Sequence, residues 1–508
     1  MPRMTAGDVQ FATAVGRLSY ANPFLQERID LEREALGDEF VAETDAFWSL
    51  TPEQSGRRRP NLVRIIERAR KLAEPLRARL LRPSAADADE LELYDGLVVY
   101  ILFYELLDDW GYRATRRSGD DAATAQAWQR FSSQFQYWLE LPGRSLPSAH
   151  DQVALFELFH QIYRAFFNIF ECVLGRSTPA AMLRARIWQS IFTHDLRRYR
   201  RGLYRSLDQV TTLVMGPSGS GKELVARAIG LSRYIPFDAR AMRFVANPDD
   251  HYFAINISAF SRPLVEAELF GHAKGAFTDA STARAGWLEA CGERGAVLLD
   301  EIGELDPTTQ VKLLRVLQNR QYQRLGETKV RDFRGKVIAA TNRDLRREIE
   351  TGGFREDLYY RLCSDVIETP SLAAQVRDNP HALDGLVAYL AARIAPEAAE
   401  ELSQDVLRWI RQQMPVDYPW PGNIRELEQC IRNVLIAGRY VPTASGGCAS
   451  ELTPDAARLA RQIDALELTA DDLLRRYCTL AYQRAGSFEK AARLLKLDRR
   501  TLRAKTAP

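Results

Sequence analysis

An α/β fold built on a parallel sheet is what this sequence predicts, and three observations predict it. A short apolar run, Leu213-Val214-Met215, passes into Gly216-Pro217-Ser218-Gly219-Ser220-Gly221 and then Lys222-Glu223. Further on, Ala296-Val297-Leu298-Leu299 runs straight into Asp300-Glu301. Across residues 176–370, strand-length apolar runs (Thr211–Met215, Tyr252–Ile257, Ala296–Leu299, Lys336–Ala340) alternate with helical stretches. That is the pattern of βα units with helices on both faces of one sheet.

The first of these has the spacing of a phosphate-binding loop. Glycines let backbone N–H groups curl around phosphate oxygens, the following helix offers its positive end, and Lys222 supplies a mobile charge. Glu223 stands where a magnesium-binding Ser or Thr is usual. In the second, four apolar residues read as a strand buried on both faces, with the acidic pair at its C-terminal end, where such sheets place ligands. Asp300 is suited to hold Mg2+ through its water shell, and Glu301 to polarise an attacking water. An isolated acidic pair is commonly only a solvated strand end. A phosphate loop upstream in the same βα pattern outweighs that reading and predicts a nucleoside triphosphatase.

At 508 residues the chain has room for about three domains. Its 46% hydrophobic and 27% charged composition is that of an ordinary globular protein, and a net charge of +2 leaves any nucleic-acid surface to a local patch. Six cysteines and six histidines are scattered without a CxxC pair, which argues for reduced thiols over a disulfide frame or zinc site. The longest apolar run, Leu97 to Leu107, contains Glu105 and is too short to cross a bilayer. With no signal-peptide pattern at the N-terminus, a cytoplasmic protein without a membrane partner is expected.

Residues 1–175 read as helices alone, with Leu155, Leu158, Phe159, Ile162, Phe166, Ile169, Phe170 and Val173 at helical spacing. The absence of strand–helix alternation disfavours a phosphate-accepting receiver. A regulatory or sensory domain answering an unidentified signal is expected here, and Asp108-Asp109 before Trp110-Gly111 reads as a solvated helix end. Residues 176–370 form the α/β core and 371–440 a helical segment broken by Pro415, Pro419, Pro421 and Gly422. A linker follows at 441–465, rich in Pro and Gly near its start, and a small helical unit at 466–508.

Beyond the nucleotide motifs, Leu269-Phe270-Gly271-His272 and Gly275-Ala276-Phe277-Thr278-Asp279-Ala280 resemble the GAFTGA region of sigma-54-dependent transcription activators, ring-forming AAA+ ATPases. Ordered matches over about 177–440 carry the resemblance: GPSGSGKE at 216–223, LLDEIGEL at 298–305, QVKLLRVLQ at 310–318, AATNRDL at 339–345, FREDLYYRL at 354–362 and YPWPGNIRELE at 418–428. Glu223 itself is what that family shows.

The resemblance implies an AAA+ core with a helical lid, ATP and Mg2+ as cofactors, and a role for each matching residue. The loop from Gly216 to Glu223 would bind ATP. Asn256 would hold the catalytic Glu301 aside until ATP is seated. Thr341 and Asn342 would contact the γ-phosphate or the lytic water. Arg355 and Arg361 match arginine fingers reaching a neighbour's ATP, an effect worth about 10³–10⁵ in rate, and Arg425 a lid arginine sensing nucleotide. Fingers supplied in trans imply a ring, read as a hexamer. Phe277, Thr278 and Asp279 would form the loop that grips the sigma factor. Asp279 replaces a glycine; Asp tolerates left-handed backbone, but several carboxylates near a ring axis would repel. Leu372-Ala373-Ala374-Gln375 departs from the family's charged segment there.

The C-terminal unit reads as a helix-turn-helix of the Fis type. A first helix spans Gly486 to Leu495, Lys496-Leu497-Asp498 the turn, and Arg499-Arg500-Thr501-Leu502-Arg503-Ala504-Lys505 the second helix. From Arg484 to Lys505 eight basic residues face two acidic ones, an excess suited to double-stranded DNA. Arg499, Arg500, Thr501, Arg503 and Lys505 are the candidate contacts. The expected whole is an activator that binds upstream DNA and remodels the sigma-54 RNA polymerase holoenzyme to open promoters. One rival is a DNA-binding AAA+ regulator that does not act on sigma-54, which Asp279 favours. Another is a remodeller unrelated to transcription, which the 486–505 module opposes.

Overall fold

The computed structural model describes residues 4–42, 59–82, 88–114, 121–277, 280–442, 459, 462 and 468–506. The chain divides into two units, Met1–Tyr440 and Val441–Pro508.

Among the described residues the first unit opens with six α-helices: α1 (Ala6–Leu18), α2 (Gln26–Leu36), α3 (Pro60–Leu80), α4 (Ala88–Ala114), α5 (Asp121–Leu139) and α6 (Gln152–Cys172). Their apolar positions at helical spacing converge on one core, with Phe11, Tyr94, Leu97, Phe135, Leu155 and Phe156 buried. α4 continues through Asp108-Asp109 to Ala114, so that pair lies within a helix and not at its end.

After α7 (Thr178–Phe192) comes the sheet: β1 (Thr212–Met215), β2 (Tyr252–Asn256), β3 (Ala296–Asp300), β4 (Lys336–Thr341) and β5 (Asp365–Glu368). Its order is β5-β1-β4-β3-β2 and every pairing is parallel. This is the α/β architecture expected from the sequence. Alternate strand residues feed two cores. Val214, Leu298, Ile338 and Ala340 pack under α6, α7 and α8 (Lys222–Leu231). Leu213, Val297, Leu299, Val337 and Ala339 pack under α9 (Arg262–Phe270), α10 (Pro307–Asn319) and α11 (Glu356–Leu362). The edge strand β5 escaped the sequence reading because Asp365-Val366-Ile367-Glu368 offers only two apolar residues. Its Asp365 carboxylate is fixed by Arg186 at 2.8 Å and Ser190 at 2.5 Å, both on α7.

A short antiparallel hairpin, Phe237–Asp238 with Arg243–Phe244, follows α8 and leans on the N-terminal helices. Phe237 lies 5.0 Å from Trp128 and 4.8 Å from Phe156, and Phe244 stacks on His160 at 3.8 Å. Phe237 is thereby part of the N-terminal core.

Four helices complete this unit: α12 (Leu372–Asp378), α13 (Ala382–Ile394), α14 (Ala399–Gln413) and α15 (Asn423–Ala437). They close over Leu386, Val387, Val406, Trp420, Leu427 and Ile431. Pro415, Pro419 and Pro421 occupy the α14–α15 connection, where missing N–H donors cost nothing to a helix.

The second unit contains α16 (Ala470–Ala485), α17 (Phe488–Leu495) and α18 (Arg499–Thr506) around Cys478, Ala491, Ala492 and Leu502. Residues 443–458 of the expected linker lie outside the described residues. Among those described, no helix is long and apolar enough to cross a membrane.

Candidate nucleotide site and its surroundings

The C-terminal ends of β1, β3 and β4 meet the start of the lid, and Lys222, Asp300, Glu301, Asn342 and Arg425 gather there. Gly216 leaves β1 at φ 148°, where a Cβ would come within 2.1 Å of Thr369 Oγ1. Gly219, at φ 74°, passes so close to the lid that a Cβ would meet the Gly422 carbonyl oxygen at 2.3 Å. Only glycine fits either place. Ser220 closes the turn by donating to the Pro217 carbonyl at 2.7 Å, and shares a 2.6 Å hydroxyl contact with Thr369. Gly221 then caps α8, whose first turn begins with Lys222 and the exposed Glu223.

Lys222 is 7% exposed and its ammonium folds back on the loop, donating to Gly216 O at 3.1 Å and Pro217 O at 3.3 Å. Burial lowers its pKa below the ordinary lysine range, against the opposing pull of Glu301 and Asp300. Asp300, at the end of β3, is shifted the other way: burial raises it, with partial relief from the Glu301 N–H at 3.1 Å and from Lys222. A buried ammonium and a partly buried carboxylate therefore lie beside the same loop, each charge disfavoured by lost solvent.

Glu301 turns out of the strand in left-handed backbone, φ 56°. Its carboxylate comes nearest the Asn342 N–H, at 3.5 Å. Asn256 behaves differently from the expectation that it holds Glu301. The parallel register sets it opposite Asp300, and its side-chain amide donates there at 3.3 Å while its oxygen accepts from Ser258 N–H and O–H. The left-handed turn at Glu301 explains the partner: it carries the glutamate away from the strand pair. Thr341 is fully buried at the end of β4, accepting from the Arg343 N–H at 3.1 Å.

Arg355 and Arg361 frame α11 and are exposed. The Arg355 guanidinium grips Asp357 with both arms, at 3.0 and 2.7 Å. Among the described residues neither arginine hydrogen-bonds Lys222, Asp300 or Glu301. A residue the motif reading left unassigned, Gln310, sets the position of Arg355: buried in α10, it accepts the Arg355 N–H at 2.9 Å and donates to Leu305 O and Gly353 O.

The lid enters through Arg425, which donates to Ser218 Oγ at 3.2 Å. Its neighbour Asn423, also unassigned by sequence, does more. With φ 51° and 2% exposure, it accepts the Leu372 N–H at 2.8 Å and donates to Ser218 O at 2.9 Å. One amide thus ties the phosphate loop to the first residue of α12 and the first of α15. The signal was present in sequence as an Asn after Pro-Gly, a pairing that tolerates left-handed backbone.

Away from this site, Phe277 is 40% exposed on a loop closed by Gly275 N–H to Ala280 O at 2.8 Å, its ring 5.0 Å from His272. Thr278 and Asp279 lie outside the described residues. In the second unit, Arg499, Arg500 and Thr501 are exposed on α18. The turn at Lys496 is left-handed, φ 50°, which accounts for the place glycine often takes. Two of the expected DNA contacts are engaged internally: Arg503 lies over the Phe488 ring at 5.6 Å, and Lys505 is paired with Asp471 on α16.

Residues 194–368 match the family model described as the Sigma-54 interaction domain. The chain is 37% identical over 302 residues to the transcriptional regulatory protein ZraR of Escherichia coli strain K12, covering 58% of this chain and 63% of that protein. It is 38% identical to the Nif-specific regulatory protein of Azotobacter vinelandii, covering 61% and 60%. The sigma54-dependent transcriptional activator SfnR of Pseudomonas putida is 42% identical over 230 residues, with 45% and 57% covered. The chain spans less than two thirds of the length of each of these relatives.

Proposed function

We propose, from the match of residues 194–368 to the Sigma-54 interaction domain, that the chain is an ATP-dependent activator of sigma-54 RNA polymerase. The observation that carries the reading is the meeting of Lys222, Asp300 and Glu301 with Arg425 of the lid around one phosphate-type loop. An anion fits the chemistry present. The loop between Gly216 and Gly221 offers backbone donors at a helix N-terminus, and Lys222 donates to two loop carbonyls that an anion could replace. A cation fits beside it, because burial leaves the Asp300 charge short of solvent. Mg2+ held there by Asp300 and water would neutralise phosphate charge.

In the proposed cycle Lys222 exchanges the two loop carbonyls for phosphate oxygens. Glu301 accepts a hydrogen bond from the attacking water and turns its oxygen toward phosphorus. Asn256 fixes Asp300 and so the floor of the site, while Thr341 and Asn342 line the γ-phosphate end. Arg425 reports on the loop to the lid through Ser218. Arg355 and Arg361, exposed on their own protomer, supply charge to a neighbour's site, so the working form is a ring, which we take to be a hexamer. Hydrolysis in that ring moves the loops bearing Phe277, Thr278 and Asp279 against the sigma factor. The second unit holds upstream double-stranded DNA through Arg499, Arg500 and Thr501.

Promoter-opening assays with purified sigma-54 holoenzyme and ATP test the proposal. Open complexes that depend on ATP and on the chain are expected. ATP turnover without promoter opening would defeat it. Asp279→Gly is expected to keep or raise opening; a clear loss would show that the loop works by other contacts.

A further inference from the structure

α6 is mostly apolar, yet Glu157, Gln161, Arg164 and Asn168 recur at intervals of four, three and four and so share one face. That face meets the C-terminal end of α8, the helix that begins at the phosphate loop. Gln161 donates to Ser232 O at 3.0 Å, and Asn168 to Ser232 Oγ at 3.1 Å. The Arg164 guanidinium donates to Leu231 O and, at 3.1 Å, to Arg233 O. Glu157 accepts from the Tyr234 hydroxyl and, at 2.6 Å, from the Phe237 N–H. Gln161 is itself braced by the Tyr199 hydroxyl at 2.7 Å. Beneath these bonds Ala165 and Ile169 of α6 share a core with Val225, Ala226 and Ile229 of α8.

Leu231 ends α8, so its carbonyl is one of the four that a helix leaves without internal partners, and the carbonyls of Ser232 and Arg233 follow it at the negative end of the dipole. Arg164 brings a cation to them; burial pushes it down to about 10, which leaves it charged at neutral pH. α8 is ten residues long, roughly 15 Å of stiff rod. Whatever fixes its far end also fixes where Lys222 and the loop amides stand.

We propose that Gln161, Arg164 and Asn168 are positioning residues for the nucleotide site: α6 holds the phosphate-loop helix by its C-terminal carbonyls, which makes the N-terminal helical region part of the ATP site's framework and its line of control over ATP affinity. This rests on the reading of the site as an ATPase. If losing the clamp leaves the loop in its binding position about one tenth of the time, apparent affinity falls about tenfold.

The test uses the full chain. Arg164→Met and Asn168→Leu should each raise the ATP dissociation constant and KM, about tenfold for the arginine, with kcat little changed. Arg164→Lys should recover most of the loss. Backbone amides at 229–233 should exchange with deuterium faster in Arg164→Met without nucleotide, a readout that needs no ATPase activity. A lower melting temperature with KM and exchange at 229–233 unchanged would overturn the inference, since that is what a purely structural contact gives. If Arg164→Met does not fold, Asn168→Leu decides by the same two readouts. An unaltered chain that turns over no ATP would instead sink the functional reading, and the exchange measurement would still judge the clamp.

Discussion

Replacing Asn423 isolates the tie between phosphate loop and lid. Its oxygen is the acceptor for the N–H of Leu372, a residue that is fully buried, and its amide donates to Ser218 O. Asn423→Gly removes both bonds but keeps the left-handed backbone at φ 51° free of strain. A buried donor left without a partner costs about 1–3 kcal/mol. Opening at Leu372 should therefore become about five- to a hundredfold more frequent. Asn423→Ala adds about 1 kcal/mol for a side chain in that conformation, roughly another fivefold. Native-state hydrogen exchange at the Leu372 amide measures both steps, and the expected order is unaltered, then Gly, then Ala. ATP affinity should weaken in the same order, because the Ser218 carbonyl loses its anchor. Equal exchange in all three proteins would refute the reasoning.

Other outcomes follow from the same geometry. Arg355→Ala with Arg361→Ala should lower ATP turnover about 10³-fold or more while ATP binding by the single protomer persists; turnover at the original rate would refute fingers acting in trans. Lys222→Met should abolish the ATP-induced rise in melting temperature but leave the nucleotide-free protein at least as stable at neutral pH. Burial lowers the folded-state pKa of Lys222, so its charge opposes folding below that pKa and the opposition fades as pH rises through it toward the unfolded value. The advantage of Lys222→Met should accordingly shrink in alkaline solution; a melting temperature lowered at neutral pH would contradict this. Arg499→Ala and Arg500→Ala should each weaken DNA binding and reduce the salt slope by about one. Lys505→Ala should leave that slope unchanged and loosen the second unit instead, because its partner is Asp471.

What sequence revealed, it revealed where chemistry is local. The glycines, Lys222 and the Asp300-Glu301 pair sit within single loops and strand ends, so spacing alone locates the site. The three central strands β1, β3 and β4 were readable because such strands are apolar on both faces, as Val297-Leu298-Leu299 shows, and the edge strand β2 was readable through its run Tyr252-Phe253-Ala254-Ile255. β5 was hidden because an edge strand with Asp365 facing α7 lacks that signature. Partners across the fold were harder still. Whether Asn256 reaches Asp300 or Glu301 depends on strand register and a left-handed turn, neither of which is written in residue type. Gln310 and the polar face of α6 looked like ordinary helix positions, since most of their partners are backbone groups far along the chain. Lys505 counted as free positive charge until α16 supplied an acid.

The aromatic hairpin bears on how such proteins are recombined. Phe237 and Phe244 come from the stretch after the phosphate-loop helix, yet they fill space among Trp128, Phe156 and His160. A chimera joined cleanly ahead of residue 176 would strand two rings in water and hollow out the region it left behind. Any transplant of the leading segment onto another α/β core must carry this hairpin with it, or replace both rings with polar residues.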